Sequence, residues 1–293
     1  MQIIPGPTSI ELAKNLAKQT SWSLLIPEYK LYGDGETAIR IPETPSQSVL
    51  IIQSLHNPQE LNLFNLLNLV LTLKDSGTQQ ITCFIPYLCY ARADKSVLAG
   101  EAKSAETVLK LLEFVGINKI IVLDIHNPAI FDGLVTMEAI NVYPIKAISK
   151  YLQNKIDPQR LKSDFVVIAP DQGAIERAKL LAKELEISWV HMTKNRDPNT
   201  GRVEVFFTVK LDKKKVILID DIMSTGNSLV KASYLLATQE IEQINVIVTH
   251  AIGTNAVDKL KELGNGFVVS TKSIPGPIAK IGLIPDLLEV LNN

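Results

Sequence analysis

Residues 216–229 read VILIDDIMSTGNSL. An unbroken run of Val, Ile and Leu is the pattern of a strand buried on both faces, as parallel sheets require. Two acids, Asp220 and Asp221, stand at its expected end, a short loop follows, and a helix is expected to begin at Ser228 or Leu229. Gly226 permits close backbone approach, while Thr225, Ser228 and successive N–H groups at a helix N-terminus form a nest for an anion. The two carboxylates can accept hydrogen bonds from vicinal hydroxyls, directly or through a metal ion. Together these features suit a phosphorylated sugar. A lone Thr-Gly before a helix would be an ordinary capped connection, but a strand, two acids, three residues and TGxS in that order is much rarer.

Outward from this stretch the same alternation recurs. Strands are expected near 49–53, 81–85, 119–123, 165–169, 188–192, 245–249 and 266–270, with helices near 59–75, 104–115, 144–154, 173–185, 227–238 and 255–263. This is the signature of βαβ units, hence an α/β protein with mainly parallel sheets flanked by helices. Several strands run into polar residues: Asp124 with His126, Pro170 with Asp171, and His250. In open α/β sheets ligands bind beyond the carboxyl ends of the strands. The length of 293 residues suits two domains, expected at 1–145 and 146–293.

Composition narrows the classes. Thirty Lys plus Arg against 31 Asp plus Glu give a net charge of −1, which argues against binding nucleic acid or an anionic membrane by bulk charge. Hydrophobic residues at 46% and charged ones at 21% describe an ordinary globular chain. Cys83 and Cys89 make neither a disulfide framework nor a zinc pattern. The opening MQIIPGPTSIELAK lacks the basic and apolar regions of a secretory signal. A cytoplasmic protein is expected. The apolar stretch 61–73 is too short to span a bilayer, and Asn62, Asn65 and Asn68 put a polar stripe along one side of a mostly buried helix.

Other clusters carry chemistry of their own. Asp124 and His126, two apart on an extended strand, would point to one side, where imidazole and carboxylate could bind a divalent cation. Residues 170–174, PDQGA, follow a strand and open a helix, which suits a diphosphate held on backbone N–H groups or a plain helix cap. Lys194 and Arg196 flank Asn195, placing two cations on one side of an extended segment, suited to the charge of a transferring phosphoryl group. The stretch 90–104 mixes Arg92, Lys95 and Lys103 with Gly100 and has no apolar period, as a surface loop would. Residues 33–36, Gly-Asp-Gly-Glu, make a tight turn between strands.

The 216–229 stretch resembles the phosphoribosyl-diphosphate-binding motif shared by type I phosphoribosyltransferases and ribose-phosphate pyrophosphokinases. The second family is the better match, because the resemblance continues along nearly the whole chain. PYLCYARAD at 86–94 resembles its PYxxYARQD segment, VLDIHNP at 122–128 its VDLHxxQ, and APDQGA at 169–174 its SPDxGG loop. Lys-Asn-Arg at 194–196 resembles its KRR strand end, YGDGETAIR at 32–40 its FxDGE, and IIQSLHNP at 51–58 its IIQSxxxP.

The resemblance implies two tandem type I phosphoribosyltransferase-like domains, the first on the ATP side and the second on the ribose 5-phosphate side. It implies an enzyme that transfers the β,γ-diphosphate of ATP to the C1 hydroxyl of ribose 5-phosphate, giving phosphoribosyl diphosphate and AMP. It further implies Mg²⁺ held by His126 and Asp171; ATP contacts from Asp34, Glu36, Arg92, Asp94 and Lys95; and a diphosphate loop of Asp171, Gln172 and Gly173. Ribose 5-phosphate would be bound by Asp220, Asp221, Ser224, Thr225, Gly226, Asn227 and Ser228, and Lys194 and Arg196 would stabilise the transition state. The DGE turn implies a homo-oligomer, since in the family it reaches ATP bound to a neighbouring subunit.

Ala93, Ala174, Asn195, Ser224 and Asn227 depart from the family's Gln, Gly, Arg, Asp and Gly. Two other readings follow from the motifs and these departures: a phosphoribosyltransferase, or a noncatalytic regulatory homologue.

Overall fold

The computed structural model describes residues 1–96, 98–196, 203–207 and 211–292, the side chains of 194–196 and 203–207 excepted. The chain divides into two units, Met1–Val142 and Tyr143–Asn293.

Unit 1 runs β1 (Gln2–Pro5), α1 (Ile10–Ala17), β2 (Ser23–Leu24), β3 (Glu28–Leu31), β4 (Thr37–Arg40), β5 (Ser48–Ile52), α2 (Gln59–Asp75), β6 (Gln80–Ile85), α3 (Ser104–Phe114), β7 (Lys119–Leu123) and β8 (Glu138–Val142). A parallel sheet takes the order β2-β1-β5-β6-β7-β8, and β3 with β4 forms a separate antiparallel hairpin. Strands β5 to β7 are buried apolar runs, as strands covered on both faces must be.

Helix α2 matches the expected span but turns its polar stripe inward. Asn62 and Asn65 are buried, Asn62 Nδ2 donating to His56 O at 2.7 Å and Asn65 Oδ1 accepting from Thr37 Oγ1 at 2.6 Å. Phe64 and Leu71 point outward instead. Buried amides need partners, and the polar loop after β5 and the hairpin provide them.

Unit 2 runs α4 (Ile145–Lys155), α5 (Pro158–Asp164), β9 (Phe165–Ala169), α6 (Ile175–Leu185), β10 (Trp189–Arg196), β11 (Val203–Phe207), β12 (Lys215–Met223), α7 (Asn227–Ala237), β13 (Gln243–Ala251), α8 (Val257–Gly264), β14 (Val268–Thr271), β15 (Ala279–Ile281) and α9 (Ile284–Asn292). The sheet order is β11-β10-β9-β12-β13-β14-β15, parallel except for the β10–β11 pair. Alternation along the strands makes two cores. Val216, Leu218, Val246 and Val248 pack with α7 and α8, while Ile217, Ile219, Val167 and Ile247 pack with α4 and α6.

Among the described residues no helix is long and apolar enough to cross a membrane.

Candidate functional site

The sequence ends the strand before the two acids. In the structure β12 continues through them to Met223, because its pairing with β13 persists to Met223↔Ala251. On the other side the β9 ladder stops at Leu218↔Ile168. The backbone of Asp220 and Asp221 thus lies beyond the end of β9, where the sheet opens. The two carboxylates lie close enough to interact, and the Asp220 carboxyl also feels the charges of Asp171 and Arg177. Both are buried, and Asp220 Oδ1 accepts from Asp221 N at 3.0 Å.

After β9 the chain makes a tight turn around Asp171. Its Oδ1 accepts from Gly173 N at 3.0 Å and its carbonyl from Ala174 N at 3.3 Å, and a short 3₁₀ turn, Gln172–Ala174, leads into α6. Arg177 in the first turn of α6 completes the group. Its Nη1 donates to Gly173 O at 2.6 Å, and its Nη2 lies 3.9 Å from Asp221 Oδ2. Burial, then the charges of Asp221 and Asp171, raise the Asp220 carboxyl well above the usual carboxylate range, and Arg177 offsets part of that rise.

The loop after β12 is shaped by two glycines. Gly226 has φ +74°, and a Cβ there would fall 2.3 Å from Ala256 Cβ. A Cβ on Gly253 would fall 2.3 Å from Ser224 O. The 224–226 loop therefore packs against 253–256 without room for side chains. Gly226 precedes α7, and Thr225, Asn227 and Ser228 are exposed at that helix's N-terminus.

Lys194 and Arg196 lie in the backbone of β10, paired with Val205 and Val203 of β11. Their side chains lie outside the described residues.

In unit 1 the extended Asp124/His126 arrangement does not hold. β7 ends at Leu123, Asp124 takes φ +43°, and Asp124 is buried at 1% while His126 is exposed. The left-handed residue breaks the two-residue alternation on which the expectation rested. Asn127 Nδ2 donates to Asp94 Oδ2 at 2.7 Å, joining the 86–94 and 122–128 segments. Arg92 and Lys95 are exposed. Asp34 and Glu36 sit at the exposed tip of the β3–β4 hairpin, Asp34 Oδ1 accepting from Glu36 N at 3.1 Å.

Among the described residues no three His, Cys, Asp or Glu side chains gather as a metal site. Asp171 offers a carboxylate oxygen on the 171–174 turn, a ligand of the hard kind that Mg²⁺ takes while keeping several waters.

Arg177 escaped the sequence reading, although a signal was present. It is a cation on the α6 face otherwise made by Ala174, Ala178, Leu181 and Ala182, where helical periodicity calls for an apolar residue.

Residues 1–116 match the family model for the N-terminal domain of ribose phosphate pyrophosphokinase, and residues 141–275 match the phosphoribosyl transferase domain. The ribose-phosphate pyrophosphokinase of Sulfolobus acidocaldarius is 34% identical and that of Sulfurisphaera tokodaii 33%, each alignment covering 97% of both chains. The crystal structure of phosphoribosylpyrophosphate synthetase from Mycobacterium smegmatis is similar in fold, with a TM-score of 0.85 over 99% of this chain and 97% of that one at 24% identity.

Proposed function

The chain belongs to the ribose-phosphate pyrophosphokinase family, and we infer that it is a ribose-phosphate diphosphokinase. It moves the β,γ-diphosphate of ATP onto the C1 hydroxyl of ribose 5-phosphate, releasing phosphoribosyl diphosphate and AMP. One observation carries this reading: similarity to enzymes of that name runs over 97% of the chain and so takes in both units. A phosphoribosyltransferase would account for unit 2 and leave unit 1 without a role.

In this reading unit 1 serves ATP through Asp34, Glu36, Arg92, Asp94 and Lys95. Unit 2 takes the sugar phosphate at 220–228, with the phosphate on the exposed Thr225, Asn227 and Ser228 and the N-terminus of α7. Asp220 and Asp221 face the sugar hydroxyls from the end of β12. The C1 hydroxyl attacks the β-phosphorus in line, breaking the bond to the α,β-bridging oxygen, which leaves with AMP. Asp171, Gln172 and Gly173 hold the moving diphosphate, and Lys194 and Arg196 stabilise charge on its oxygens. His126 and Asp171 would hold Mg²⁺, which when bound neutralises phosphate charge. The protein works in the cytoplasm as a homo-oligomer, the β3–β4 hairpin reaching ATP on a neighbouring subunit.

The test is direct. Purified protein with ATP, ribose 5-phosphate and Mg²⁺ should release AMP and phosphoribosyl diphosphate, and Lys194→Ala should lower kcat by about 100-fold or more. No AMP above the Lys194→Ala background would overturn the reading and favour the noncatalytic homologue.

A further inference from the structure

Arg177 is 3% exposed. Burying a guanidinium is costly unless its donors are met and its charge is opposed. Here one donor meets a turn and another faces a strand end: Nη1 bonds Gly173 O at 2.6 Å, and Nη2 stands 3.9 Å from Asp221 Oδ2. The guanidinium carbon lies 6.0 Å from the Tyr143 ring centroid, within cation–π range. The planar fork of Arg can serve two directions at once, which a lysine ammonium on one stem does less well.

Gly173 is consequently held at both ends, its N–H by Asp171 Oδ1 at 3.0 Å and its carbonyl by Arg177. The first tie is exchangeable, because a carboxylate drawn to a ligand releases the amide it was accepting from. The second is made by a buried side chain anchored on a helix. When Asp171 turns to a ligand, the Arg177 tie keeps the Gly173 carbonyl turned inward.

We propose that Arg177 is a positioning residue, a buried strut that holds the 171–174 turn in register with the Asp221 end of β12 so that the turn receives a diphosphate without rearranging. The proposal rests on the diphosphokinase reading for the identity of the ligand but not for the existence of the strut. Arg177 touches no reacting atom, and acts through Gly173 and Asp221.

Two readouts on the full-length protein test it. The first is amide hydrogen exchange at residues 172–174 in wild type, Arg177→Met and Arg177→Lys. The second is binding of inorganic diphosphate with Mg²⁺, measured by calorimetry. Arg177→Met should speed exchange in the turn at least tenfold while the α7 and α8 amides stay at wild-type rates, and should weaken diphosphate binding at least tenfold. Arg177→Lys, which keeps the charge but reaches only one partner at a time, should fall between the two. Wild-type exchange in the turn, a uniform rise across unit 2, or unchanged diphosphate affinity in Arg177→Met would each overturn the strut. Should Arg177→Met fail to fold, Arg177→Lys carries both readouts, and wild-type behaviour in it overturns the proposal. If wild type makes no phosphoribosyl diphosphate, the functional reading fails, and the exchange result still decides whether Arg177 holds the turn.

Discussion

At the carboxyl ends of β1 and β5 in unit 1, Thr8, Ser9, Gln53 and Ser54 meet one another's hydrogen-bonding needs. At the ends of β9 and β12 in unit 2, Asp171, Asp220 and Asp221 gather round a single arginine. In the first cluster Gln53 Oε1 accepts from Thr8 Oγ1 at 2.9 Å and from Thr8 N at 3.3 Å, and Ser54 N donates to Ser9 Oγ at 3.1 Å. The packing is close, for a Cβ on Gly6 would fall 2.1 Å from Gln53 Oε1. That end is neutral, and Gln53 Nε2 ties it to α2 by donating to Asn62 O at 3.3 Å. In the second cluster burial and like charge raise the Asp220 carboxyl, and Arg177 offsets only part of the strain. Equivalent positions in two parallel sheets therefore do different work. A satisfied polar network closes a fold, whereas desolvated like charges sacrifice stability for readiness to receive a ligand.

The contrast breaks most visibly if the charged end is neutralised. Asp220→Asn with Asp221→Asn should lower kcat/KM for ribose 5-phosphate by about 100-fold or more, since each charged hydrogen bond is worth about 1.5–3 kcal/mol. Asp220→Asn alone, which leaves Asp221 opposite Arg177, removes like-charge repulsion, so its melting temperature should rise, by roughly 2–4 °C for each 1 kcal/mol relieved. Steady-state kinetics beside calorimetry checks both signs. Activity and stability falling together would show that the acids hold the fold and not the sugar.

Neutralising the quiet end should do the reverse. Gln53→Ala removes a buried amide, takes the acceptor from Thr8 N and the donor from Asn62 O, and opens a cavity, for a loss of about 2–4 kcal/mol. Denaturant unfolding should show that loss, while KM for both substrates stays within about twofold of wild type at a temperature where the variant is folded. A selective rise in the KM for ATP would mean that the neutral network belongs to the binding machinery.

The sequence made most strand runs and the position of the acidic cluster legible, but not the neutral network at Thr8 and Gln53 or how the two strand ends differ in energy. Residues 59–75 announced α2 by length and leucine content, and 119–123 and 165–169 announced β7 and β9, because fully buried strands must be apolar throughout. Less was visible where a partner element decides the outcome. The pairing with β13 carries β12 through Asp220 and Asp221, so that both acids stand within the strand and not in the loop after it. A left-handed Asp124 separates it from His126, and nothing local in the sequence forces that dihedral. Strand β1 and helix α1 are interrupted by Pro5, Gly6 and Pro7, so their short apolar runs carried no clear period. Arg177 was readable only as an exception to the α6 pattern, and its partners Gly173 and Asp221 come from two separate connections.

Another buried acid separates burial for structure from burial for function. Asp286, in the first turn of α9, accepts from Lys146 N at 2.8 Å and Ala147 N at 3.0 Å, so it caps α4 from across the chain. Burial nevertheless pushes its carboxyl up to about 6, the two backbone N–H groups offsetting only part of the effect and Glu289 adding to the rise. An acid whose folded pKa lies above its unfolded value stabilises the fold most when protonated. Its contribution is fully present below the unfolded value near 3.8 and is lost as pH rises through about 6. Wild type should therefore lose about 2 kcal/mol relative to Asp286→Asn between pH 4 and pH 7, read as the difference of their denaturant unfolding curves. Asp220 contributes a slope of the same sign to both proteins and cancels in that difference. In contrast to the pair at β12, Asp286→Asn should leave the KM for ribose 5-phosphate unchanged at pH 7. If instead the two proteins keep a constant stability gap across the range, the backbone N–H groups outweigh burial, and Asp286 is an ordinary ionised cap.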